Sequence, residues 1–144
     1  MNRRLLLSLM LWLPGAVLAG RPGLPTGVYE YVARDTNGAV VATGRLLVDS
    51  SDSGVWKIEQ VASNNDVGPQ VGSGTLSIQV SHDEICIDLN PGWADHNVVL
   101  KGTFTRGSLV GDWEWLTYAG VAKSGKFSAV HRHSRDSMTR PIHN

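Results

Sequence analysis

GSGTLSIQVSHDEICIDL, residues 72–89, carries apolar side chains at every second position on both sides of a short polar break. Leu76, Ile78 and Val80 alternate with Thr75, Ser77 and Gln79, and beyond His82-Asp83 the residues Ile85, Ile87 and Leu89 alternate with Glu84, Cys86 and Asp88. A period of two belongs to a strand with one face buried, because successive side chains of a strand point to opposite faces. The stretch therefore reads as two antiparallel strands, 72–81 and 84–89, joined by a tight turn.

The pattern continues outward in both directions. Toward the N-terminus, strands are expected over 27–34, 39–48 and 55–62, separated by Asp35-Thr36-Asn37-Gly38 and by the Asp/Ser/Gly run 49–54. Asn-Gly suits the positive dihedral angles of a hairpin turn. Toward the C-terminus, strands are expected over 96–105, 108–116 and 123–132, with Arg106-Gly107 as one turn and residues 117–122 as a loop. Val98, Leu100 and Phe104 oppose Lys101, Thr103 and Thr105, while Leu109, Gly111, Trp113 and Trp115 oppose Asp112 and Glu114. No stretch holds helical spacing for three turns. The expectation is an all-β chain, an antiparallel up-and-down barrel of about eight strands.

Glycine supports closure into a barrel. It stands two residues before a large apolar side chain in Gly27/Tyr29, Gly54/Trp56, Gly74/Leu76, Gly102/Phe104, Gly111/Trp113 and Gly125/Phe127. Glycine inside a strand weakens it unless a bulge, a sharp coil or a close backbone approach requires it, and closing a small barrel creates that requirement. On these Gly-x-aromatic strand starts and the hairpin-by-hairpin order, residues 26–130 resemble the calycin barrels, the lipocalin-like and avidin-like proteins. The resemblance implies a barrel with binding at its mouth. Avidin-like proteins open with Gly-x-Trp followed by Asn and Ser ligands to biotin; here Gly27-Val28-Tyr29 is followed by Glu30 and Tyr31, so biotin binding is not implied. The chain is also similar to small exported bacterial barrels with no assigned activity.

The N-terminus reads as an export signal. Arg3 and Arg4 precede a nearly continuous apolar run over 5–13, broken by Pro14-Gly15, and Val17 and Ala19 occupy the small-residue positions of a cleavage site. That run is too short to span a bilayer. The expected organisation is a signal peptide over 1–19, a single barrel domain over 20–132 and a flexible, mildly basic tail over 133–144, in a periplasmic or secreted protein with no membrane span. Loss of the leader removes two of the 13 basic residues and none of the 13 acidic ones, a balance of −2. Nothing in that charge supports nucleic-acid binding. Cys86 is the only cysteine, so no intramolecular disulfide can form and stability must come from packing.

In an up-and-down meander the connections alternate between the two ends. One end collects the turn at 49–54, His82-Asp83 and Arg106-Gly107. The other collects 35–38 and three longer loops, 63–71, 90–95 and 117–122, which hold Asn64, Asn65, Asp66, Gln70, Asn90, Trp93, Asp95 and Tyr118. Binding residues concentrate on loops held by a rigid scaffold, so this long-loop end is the expected functional end. Its most informative stretch is Asn90-Pro91-Gly92-Trp93-Ala94-Asp95-His96-Asn97, which sets an indole beside a carboxylate, an imidazole and carboxamides.

The candidate ligand-binding residues are Trp93, Asp95, His96, Trp115 and Tyr118. Alternatively, Trp93 folds over the barrel end as a plug while Asn90 and Asp95 cap turns. No catalytic residues, metal ligands or cofactor are assigned: His131 and His133 face one way on a strand without a third ligand, and no nucleophile motif accompanies Asp95-His96. Two functions follow. A small-ligand binder requires a cavity lined by Trp113 and Trp115. An interaction or inhibitor module, acting on an envelope or secreted protein, requires a filled barrel and an exposed Trp93.

Overall fold

In a computed structural model, which describes residues 23–61 and 67–132, the chain forms a closed barrel of eight antiparallel strands in up-and-down order. The strands are β1 (Gly27–Arg34), β2 (Val40–Val48), β3 (Ser53–Gln60), β4 (Gly72–Ser81), β5 (Glu84–Asp88), β6 (Asn97–Thr105), β7 (Ser108–Thr117) and β8 (Gly120–His131). Each pairs with its sequence neighbour, and β1 closes the barrel on β8 with Tyr29 opposite His131, Tyr31 opposite Ala129 and Ala33 opposite Phe127. The export signal and the C-terminal tail lie outside the described residues, as do Asn64, Asn65, Asp66 and His133.

The alternation seen in the sequence becomes an inside and an outside. Leu76, Ile78, Ile85, Ile87, Leu89, Val98, Leu100, Leu109 and Trp113 are all buried, with Val80, Phe104 and Trp115 packed partly buried against them. Charged residues stand on the outer wall. There Glu30 meets Arg45 at 3.1 Å and Arg132 at 3.0 Å, and Lys101 meets Glu114 at 3.1 Å. Such exposed pairs add little stability. The hydrogen bond to Glu114 raises the Lys101 pKa, and burial raises that of the Cys86 thiol beside it on β5.

Aromatic side chains span the interior and find backbone acceptors for their polar atoms. Trp56 Nε1 donates to Leu89 O at 2.6 Å, and Trp113 Nε1 donates to Arg34 O at 2.8 Å. The second bond crosses Gly125, where a Cβ would overlap both Arg34 O and the Trp113 indole, so this glycine is required by a close approach. The short-loop end is closed by the chain entering β1. Leu24 is buried, Tyr29 Oη donates to Pro25 O at 2.6 Å, and His131 Nε2 lies 3.0 Å from Thr26 O.

One loop expectation is corrected. Residues 117–122 are not a long loop: β7 runs to Thr117 and β8 begins at Gly120, leaving the two-residue tip Tyr118-Ala119. Gly120 has φ +109°, and Thr117 Oγ1 donates to Gly120 O at 2.9 Å, which closes the tip locally. A register shift between Trp115 and Leu116 lets the hairpin extend past the barrel rim.

Candidate functional site: the long-loop rim

At the long-loop end part of the β3–β4 loop turns inward. A 3-10 turn, Gly68–Gln70, lies in the β3–β4 loop and packs against β6 and β7. Val67 and Gln70 are buried. Tyr31 Oη donates to Gln70 Oε1 at 2.9 Å, and Gln70 Nε2 donates to Val67 O at 3.1 Å, so the carboxamide is partnered at both ends. A buried polar side chain held this way latches the loop into the barrel mouth. Burial also pushes the Tyr31 phenol well above its ordinary pKa, keeping it a neutral donor. Trp113 is 2 % exposed.

The five candidate residues gather at this end in two different settings. Half-buried Trp115 and exposed His96 form the first: their rings lie 5.9 Å apart at 24°, and a Cβ at Gly68, whose φ is +66°, would overlap the Trp115 indole. Trp115 Nε1 is buried and has no hydrogen-bond partner among the described residues. Trp93, Asp95 and Tyr118 form the second. Asp95 Oδ1 accepts the Tyr118 backbone N–H at 3.1 Å, which ties the β5–β6 loop to the β7–β8 tip.

Trp93 does not plug the barrel. It is 70 % exposed and Tyr118 is 83 % exposed, while the plug is Val67 and Gln70. The Asn90 and Asp95 side chains join separate loops: Asn90 reaches Pro69 O, and Asp95 accepts from Tyr118, 23 residues on. Asn90 N–H donates to Asp88 Oδ1 at 2.9 Å and to Asn97 Oδ1 at 3.2 Å, and Asn90 Nδ2 reaches Pro69 O at 3.4 Å.

The rim also carries apolar residues that the sequence reading did not single out. Val61, Val71 and Val121 are exposed at the same end as Trp93 and Tyr118, so five of the nine large apolar side chains exposed among the described residues stand there. The uncharged segments Pro91–Ala94 and Tyr118–Ala122 were a usable signal, because exposed tips are ordinarily polar. Gln70 gave no such signal: its inward turn depends on Tyr31, 39 residues away. At the opposite end a groove of about 340 Å³ is lined by Gly23, Asp83, Ile85, Thr103, Phe104 and Thr105, none of them a candidate residue.

Comparison of the chain with family models, with characterised proteins and with solved structures finds no match to any of them.

Proposed function

We propose that this protein is an exported interaction module that engages a partner through the outside of its long-loop rim, with the barrel as a solid support. The observation that carries this reading is the contrast between Trp113, buried in the barrel, and Trp93 and Tyr118, which stand in solvent on tips joined through Asp95. Aromatic side chains that protrude from a barrel rim suit recognition of a surface. Tryptophan and tyrosine offer large contact area with few rotatable bonds to order, which is why they dominate binding hot spots. Export rests on Arg3, Arg4, the apolar run and the Val17/Ala19 cleavage pattern.

The test is site-directed photo-crosslinking in the producing cell, with a benzophenone amino acid at position 118 or, as a wall control, at position 47. Adducts formed from position 118, absent from position 47 and diminished by Trp93→Ala support the rim. Equal adducts from both positions, or none from position 118, overturn it.

A second reading is favoured by one atom. The unpartnered Trp115 Nε1, beside His96, offers a donor to a small ligand bearing an acceptor at the mouth. That reading requires a saturable tryptophan fluorescence response to such a ligand that is lost in Trp115→Phe, which keeps a ring and removes the N–H.

A further inference from the structure

The two rim tips have a composition unusual for solvent-facing turns. Pro91-Gly92-Trp93-Ala94 and Tyr118-Ala119-Gly120-Val121-Ala122 are exposed at every position and contain no charged side chain. The Asp95–Tyr118 bond places them side by side, so they protrude as one feature. Their only polar side-chain atoms are the Trp93 indole nitrogen and the Tyr118 hydroxyl.

Several backbone donors of these tips are satisfied within the protein. Trp93 N–H donates to Asn90 O at 3.2 Å, Tyr118 N–H to Asp95 Oδ1 at 3.1 Å and Ala119 N–H to Thr117 Oγ1 at 3.3 Å, while Pro91 has no N–H. Internal satisfaction matters where the surroundings supply no hydrogen-bond partners, as at the upper edge of lipid hydrocarbon. A protein partner makes no such demand, since it brings acceptors of its own. Tryptophan and tyrosine favour the level of lipid headgroups, apolar body inward and polar atom outward. Asn90, Asp95 and Thr117 form a polar collar behind the tips and limit immersion to a shallow depth.

Resting on the rim reading above, we infer that the partner is a phospholipid bilayer surface, entered by residues 91–94 and 118–122 at the boundary between headgroups and hydrocarbon. Attraction is apolar, because the tips carry no charge. Binding is therefore insensitive to anionic lipid and to salt, and it is reversible, since only a few side chains insert.

The experiment is sedimentation with vesicles of phosphatidylcholine, alone or mixed with phosphatidylglycerol, read together with tryptophan emission and acrylamide quenching. The chain used starts at Gly20. It contains all eight strands and the whole described core, and it omits the apolar run at 5–13, which would bind lipid by itself. The expected result is binding to both vesicle types, with a blue shift and protection from quenching, changed by no more than about twofold on adding salt. Trp93→Ala and Tyr118→Ala each weaken partitioning about tenfold without altering the thermal melt, and Leu47→Ser on the wall leaves it unchanged.

Absence of binding to both vesicles overturns the proposal. So does binding confined to the anionic vesicles and abolished by salt, and so does binding undiminished in the Trp93→Ala/Tyr118→Ala double variant. Each of these removes the bilayer without deciding the rim reading, which the crosslinking from position 118 judges separately: protein adducts there, with vesicle binding absent, assign the same surface to a protein partner.

Discussion

Gln70 is the residue on which the character of the barrel mouth depends. Its carboxamide occupies the position from which a ligand would meet Tyr31, and it keeps the Tyr31 hydroxyl partnered in a place that water does not reach. Leaving a buried hydroxyl unpaired costs more than the net value of the bond it had made. Gln70→Leu is therefore expected to lower stability by about 1–3 kcal/mol. Adding Tyr31→Phe to that variant removes the stranded group and recovers part of the loss, as measured by urea unfolding of the wild type, both single variants and the double variant. Nothing in the local sequence marks Gln70 as inward-facing, since it sits between Pro69 and Val71 in a run that reads as an ordinary polar loop. Trp93 stood out in the sequence as a loop indole but its posture did not, because an indole on a loop can cover a core or stand clear of it.

Among the elements, the β3–β4 connection and the β7–β8 hairpin decide the shape of the rim. The 3-10 turn seats against Trp115 only because Gly68 takes a positive φ and has no Cβ. Gly68→Ala meets both obstacles at once and should cost roughly 2 kcal/mol, with a changed near-UV circular dichroism spectrum as Trp115 is displaced. The β7–β8 hairpin was expected to open into a loop over 117–122, because Tyr118-Ala119-Gly120-Val121-Ala122 lacks clear alternation and contains a turn glycine. Pairing continues there through backbone hydrogen bonds and the Thr117 hydroxyl, which need no alternating side chains once the hairpin has left the core. The strands at 27–34 and 72–81 were legible to the residue, because their alternation ends at turn residues on both sides.

For the whole molecule, closure of β1 on β8 places Tyr29 and Tyr31 wholly inside, and burial raises both phenol pKa values, that of Tyr29 from 10.0 to about 12. Cys86 and Lys101 are shifted in the same direction. Each of these groups holds its proton more firmly in the folded state, so above the ordinary pKa values the unfolded chain binds fewer protons than the folded one. Stability then falls as pH rises. The contribution is complete below about pH 9 and is lost as pH climbs through the folded values. Tyr29 alone contributes roughly 2 kcal/mol to that loss by pH 12. Urea midpoints measured from pH 8 to 12 should fall progressively, and Tyr29→Phe should flatten the decline even though it is less stable at neutral pH.

The sequence by itself determined the strands, their order and the closed antiparallel barrel, because period-two alternation and turn residues are local signals that adjacent hairpins repeat along the chain. It also singled out the long-loop end, since alternating connections assign each loop to an end by counting. Only the tertiary structure decided that Gln70 turns into the mouth and that the aromatic tips stand outside it. Tyr31 meets Gln70 and Trp115 meets Gly68 because the barrel closes around them, and Asp95 reaches Tyr118 across 23 residues of intervening chain. Such contacts depend on curvature, strand register and the space left by neighbouring side chains, none of which a run of residues expresses until the whole sheet has formed.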